Sequence, residues 1–175
     1  MNNSKPEIFI LTGPCGVGKS TISKIIAEKL DKSALIEGDS IYHLVVGGYV
    51  KPWEDDGTYL GLFWENIFDL IDNFLERNIS VVLNYIIYPE KIREIIKVLK
   101  EKNYAAKFIV LMVDETTIIE RDNLREEDCR MGERSIKILN EFEKVYSDSS
   151  HILNTSCLSE EKSGEIIMRD DRFYL

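Results

Sequence analysis

Apolar runs and helical stripes alternate along this chain. Residues 7–12 (EIFILT) are nearly all apolar, as expected of a strand buried on both faces. Ile22, Ile25, Ile26 and Leu30 then recur at helical spacing, which predicts a helix with one face turned inward. Residues 33–39 (SALIEGD) predict a second strand, and Leu60, Phe63, Trp64, Ile67, Ile71 and Phe74 trace a long amphipathic helix. A third strand is expected over 79–87 (ISVVLNYII), followed by a helix carrying Ile92, Ile95, Ile96 and Leu99. A fourth strand is expected over 106–113. A charged helical stretch leads from it to a helix with Ile136, Leu139, Phe142 and Val145 inward. Residues 151–155 and 159–169 predict a fifth strand and a last helix. This alternation predicts an α/β fold in three layers, a five-stranded, mainly parallel sheet with helices on both faces. With no repeat or low-complexity linker, the expectation is one domain over 1–175. The least regular segment, 40–58, is long for a connection and is expected to be a lid or binding loop.

Composition narrows the setting. The net charge of −9 argues against nucleic acid and anionic membranes as partners, because phosphate-rich surfaces need a basic face. Cys15, Cys129 and Cys157 are three and far apart, forming neither a metal-ligand spacing nor a disulfide framework, so a reducing cytoplasm is expected. The apolar run near the N-terminus is too short for a signal peptide, and no stretch is long enough to span a bilayer.

Chemistry enters between the first strand and the first helix. Gly13, Gly18, Lys19 and Ser20 match the phosphate-loop pattern G-x-x-x-x-G-K-[ST] in the strand–loop–helix context that the pattern requires. The glycines let the backbone curl until its amides face phosphate oxygens at the positive end of the helix. Gly13, Pro14, Cys15, Gly16, Val17, Gly18, Lys19, Ser20 and Thr21 are therefore the expected nucleotide-binding residues. Lys19 would reach the β- and γ-phosphates, the Ser20 hydroxyl would hold Mg²⁺, and Cys15 would serve as a small residue that fits. The chain has no N-K-x-D segment to read a guanine and no LSGGQ-like signature, which leaves small phosphotransferases as the leading class.

The loop, the "EGD" closing the second strand, an arginine-rich segment after the fourth strand and the element order together resemble small P-loop kinases. The pattern looks like the shikimate kinase, gluconate kinase and chloramphenicol phosphotransferase types, and the resemblance spans nearly the whole chain. It implies ATP with Mg²⁺ as cofactors, a substrate-binding insertion at about 40–76 and a lid at about 121–134. It also implies an acidic residue facing the acceptor hydroxyl, a place held here by Glu37 and Asp39. Asp39 then accepts or positions the hydroxyl proton, unless it caps a helix beginning at Ser40. Glu37 is either a metal-side carboxylate or a surface residue.

In the arginine segment, Arg121–Arg125 and Arg130–Arg134 set like charges four residues apart, which an idle helix would avoid. The resemblance makes Arg125 and Arg130 the lid groups over the phosphates and puts Arg121 at the lid's root near the adenine. The bland alternative is a solvated helix face. The pattern departs at the third strand, which ends in Asn84 where many such enzymes have a carboxylate. Asn84 would bind acceptor or a metal-bound water, while Asp114 reads as a helix cap.

Asp39, His43, Trp53 and Asn84 are the expected substrate-binding residues, with Trp64 falling on the core stripe. The acidic run Glu54, Asp55 and Asp56 favours a neutral or cationic acceptor if it faces the pocket. The expected function is an ATP-dependent kinase acting on a hydroxyl of a nucleoside, sugar, hydroxy acid or antibiotic-like small molecule, as a monomer or homodimer. Ligand sequestration without transfer and simple NTP hydrolysis are the alternatives.

Overall fold

The computed structural model describes residues 5–124, 127, 130–146 and 149–175. Five strands, β1 (Ile8–Thr12), β2 (Ser33–Glu37), β3 (Ser80–Asn84), β4 (Ala106–Met112) and β5 (Ile152–Asn154), pair in the order β2-β3-β1-β4-β5. Every pairing is parallel. All residues of β1 and β4 are buried. Cover on both faces of the sheet is why these strands read as continuous apolar runs instead of alternations.

Among the described residues, seven α-helices complete the layers: α1 (Lys19–Lys29), α2 (Gly38–Tyr42), α3 (Thr58–Leu75), α4 (Pro89–Glu101), α5 (Glu115–Asn123), α6 (Glu133–Tyr146) and α7 (Glu160–Arg169). Helix α1 packs on α7, β2 and β3, and α3 packs on β3 and α2. The inward stripe of α3 is Phe63, Trp64, Ile67 and Ile71, as its spacing predicts. In α6 Leu139 and Phe142 are buried as expected, but the stripe fails at its end: Val145 is 56% exposed, and Ile138 and Tyr146 are buried. Each three-residue step falls about 60° short of a full turn, so a strict three-residue series drifts off the buried face.

Register explains two shortened strands. Asn84 pairs with Leu11 and Glu37, and no partner residue follows Glu37 because Gly38 starts α2. The sheet therefore ends at Asn84, although apolar character runs on to Ile87. That following stretch is fastened to β1, with Tyr85 N–H donating to Leu11 O at 3.2 Å. The Ile87 N–H donates to the buried Thr12 Oγ1 at 2.8 Å. At the opposite end of the strands, buried Lys107 in β4 donates from Nζ to the carbonyls of Ile167, Met168 and Asp170 at 3.1, 2.9 and 3.1 Å. A cation there answers carbonyls that the end of α7 leaves without helical partners. Among the described residues no helix is long and apolar enough to cross a membrane.

Candidate active site

The loop between β1 and α1 adopts conformations open mainly to glycine, with φ of 136° at Gly13, 87° at Gly16 and 95° at Gly18. A Cβ on Gly13 would sit 2.2 Å from Leu111 O, so the loop can lie against β4 only because this residue has none. Helix α1 starts with no acidic residue in its first turn and no side-chain cap, which leaves its amides for an anion. Pro14 and Val17 are buried beneath the loop, Cys15 is half-buried, and Ser20 and Thr21 are exposed. Lys19 Nζ folds back on the loop, donating to Gly13 O at 2.9 Å and Pro14 O at 2.7 Å. Arg121 lies against the loop, its Nη1 3.5 Å from Gly16 O. Thr155, just after β5, reaches Val17 O at 3.5 Å through Oγ1.

Asn84 Nδ2 donates to Ser20 Oγ at 3.0 Å. The buried amide thus fixes the hydroxyl at the head of α1 and is not on the wall of the neighbouring cavity. Glu37 is exposed and makes no side-chain cap at α2. Asp114 is the N-cap of α5, accepting from Thr117 N at 2.7 Å; that amide, with the Ser156 hydroxyl, holds its carboxyl below the usual range. No described group of three His, Cys, Asp or Glu side chains could hold a metal ion by itself.

Asp39 departs from expectation in its setting. It lies within α2 and not on the second strand, because the chain turns helical at Gly38. It therefore does not share a strand face with Glu37, nor does it cap a helix starting at Ser40. The glycine between them is needed for packing: a Cβ on Gly38 would lie 2.6 to 2.8 Å from Tyr85 side-chain atoms.

Asp39 opens onto a cavity of about 590 Å³ that also reaches Cys15 of the phosphate loop. Its wall includes the aromatic rings of Tyr49, Trp53, Trp64, Tyr85 and Tyr88. Trp64 is 7% exposed and serves both core and cavity. Burial, reinforced by the Asp39 charge, pushes the Tyr85 phenol up. Burial also raises Tyr88, against the opposing pull of Arg134. His43 Nε2 and the Tyr49 hydroxyl lie 3.3 Å apart at the rim. Trp53, 57% exposed, stacks under the Arg134 guanidinium, whose carbon is 3.6 Å from the ring centroid. The acidic run does not face this space. Asp55 accepts from the amides of Gly57, Tyr59 and Leu60, and Asp56 accepts from Thr58, so both carboxylates cap α3. The charge argument for a neutral or cationic acceptor loses its basis.

Of the four spaced arginines, Arg134 lines the cavity and Arg121 sits by the loop. Arg130 is exposed and is not on the cavity wall; Arg125 lies outside the described residues. The sequence reading missed Asp122, which is buried at the end of α5. Its carboxylate accepts from Met131 N at 3.0 and 3.1 Å and from Gly132 N at 2.8 Å. It pins the chain where it re-enters α6. An acidic residue four positions after Ile118, on the same inward face, was the available signal.

The sequence model of the family described as AAA domain matches residues 9–144. The tRNA dimethylallyltransferase of Bacillus licheniformis is 40% identical over 58 residues, 32% of this chain and 18% of that protein's length. Among solved structures, the tunicamycin resistance protein of Deinococcus radiodurans superposes with a TM-score of 0.66 at 19% identity, covering 93% of each chain. The Mycobacterium tuberculosis APS kinase, in complex with AMPPNP and APS, gives 0.67 at 16% identity over 94% of this chain and 96% of that one. Both share this chain's three-layer α/β fold.

Proposed function

The chain belongs to the AAA domain family, and from that premise we propose that it transfers the γ-phosphate of ATP to a hydroxyl of a small molecule. One observation carries the reading: the phosphate loop, through Cys15, and the carboxylate of Asp39 border the same cavity. A donor phosphate on the loop and an acceptor hydroxyl at Asp39 would then meet without crossing bulk water.

In this reading the loop amides take the phosphate oxygens, and Lys19 exchanges the Gly13 and Pro14 carbonyls for the β- and γ-phosphates. The acceptor oxygen forms a bond to the γ-phosphorus as the bridging β–γ oxygen leaves with ADP. Its proton passes to Asp39 and then to solvent. Arg121 by the loop and Arg134 in the cavity are the described arginines that would meet phosphoryl charge. The oxygen donors at the head of α1 fit Mg²⁺, which keeps much of its shell as water and substrate phosphate. Ser20, oriented by Asn84, would hold it, with Glu37 or Asp39 behind its waters. When bound, the ion neutralises phosphate charge. Lys19→Ala should abolish transfer. Asp39→Asn should retain ATP binding and cut turnover by about 10²–10⁴; full turnover in that variant refutes the role given to Asp39.

Asn84, standing where a carboxylate is common, favours a second reading in which the chain holds a ligand without phosphorylating it. Acceptor mass separates the two, since transfer adds one phosphoryl group and sequestration adds nothing.

A further inference from the structure

We infer that the acceptor is a ring-bearing alcohol with few other polar groups, and not a sugar, polyol or polyhydroxy acid. This rests on the transfer reading for one point only, the assignment of the reacting hydroxyl to Asp39. The ring's place follows from the wall itself, where Trp53, Trp64, Tyr85 and Tyr88 converge on one space with Ile87 and Ile138. Aromatic walls reward flat apolar groups through burial and offset or edge-on ring contact. A volume of about 590 Å³ suits a ligand of more than one ring.

The polar groups on that wall are mostly engaged already. Lys91 pairs with Glu94, His43 lies against the Tyr49 hydroxyl, and Arg134, stacked on Trp53, has its N–H edge given over to phosphoryl charge in the transfer reading. Among the described residues the Asp39 carboxylate has no hydrogen-bond or ion-pair partner. The cavity thus offers the Asp39 carboxylate and the Tyr85 hydroxyl to a ligand hydroxyl, and little to satisfy four or five more. Each hydroxyl stripped of water without a replacement partner opposes binding. Glu54, Asp55 and Asp56 are absent from the wall.

Ligand-observed NMR titration without ATP tests this, with naphthylethanol as the ring-bearing probe and sorbitol and gluconate as the polyhydroxy probes. Naphthylethanol should bind the intact protein at least about tenfold more tightly than either. Trp53→Ala should weaken it about tenfold, while Trp53→Phe, which keeps a ring, should restore most of the affinity. Equal or tighter binding of sorbitol or gluconate, no binding of naphthylethanol, or an unchanged affinity in Trp53→Ala overturns the inference. If naphthylethanol binds as expected and no acceptor is ever phosphorylated, the transfer reading fails and this one stands. If sorbitol is phosphorylated efficiently, the reverse holds.

Discussion

Gly38→Ala sets two physical effects against each other with opposite signs. The residue opens α2 without a positive φ, so helix propensity alone predicts that alanine stabilises the chain by about 0.5–1 kcal/mol. Packing predicts the reverse. The new methyl would lie 2.6, 2.8 and 2.8 Å from three atoms of Tyr85, where carbon contacts normally settle at about 3.5–4.0 Å. Tyr85 cannot simply swing away, since its ring sits 4.5 Å from Phe63 and 6.0 Å from Trp64, centroid to centroid. Overpacking of this kind costs about 1–3 kcal/mol. The net expectation is destabilisation by about 0.5–2 kcal/mol, read as a lower urea midpoint at constant m. Because the displaced ring belongs to the cavity wall, acceptor KM should rise as well. Tyr85→Ala in the same chain should remove the clash, so that the double variant is more stable than the sum of the single losses predicts. A Gly38→Ala protein as stable as the parent or more so, with unaltered acceptor binding, would refute the reasoning.

Asp122→Ala removes a buried carboxylate that three amide contacts converge on, and should cost about 1–3 kcal/mol with faster hydrogen exchange at Met131 and Gly132. Unchanged exchange there would show that the carboxylate does not anchor the return into α6. Asn84→Ala frees the Ser20 hydroxyl and should raise the Mg²⁺ concentration needed for half-maximal nucleotide binding by about tenfold, with melting temperature little altered. Asp114 has a folded carboxyl held below its ordinary 3.8 by the Thr117 amide, so its contribution is present above that value and lost as pH falls through the lower, folded one. Asp114→Ala should accordingly flatten the loss of thermal stability on acidification below about pH 4, which parallel melts of the two proteins would show.

The sheet and its helices were legible because burial on both faces writes itself as apolar runs, and helix faces write themselves as 3.6-residue stripes. Thr12, Asn84 and the α3 stripe fall where those patterns lead. Strand ends were less legible, since they are set by partners: Tyr85 to Ile87 are as apolar as any strand, and only the end of β2 takes them out of the sheet. The phosphate loop could be read directly because its glycines and lysine are fixed by backbone geometry. The cavity could not. Asp55 and Asp56 look like pocket charges until the amides they cap are known, and Arg134 looks equivalent to Arg130 until Trp53 is found beneath it. Gly38, Asp122 and Lys107 act through contacts distant in sequence, and a periodicity carries no trace of such pairs.

The central claim is that phosphate loop and Asp39 form one transfer site, and γ-labelled ATP tests it most directly. With Mg²⁺ and a panel of ring-bearing alcohols, the account predicts label on the acceptor, one phosphoryl added to its mass, and loss of that product in Asp39→Asn while ATP still binds. Label released only as inorganic phosphate, or a phosphorylated product formed equally well by Asp39→Asn, would contradict it.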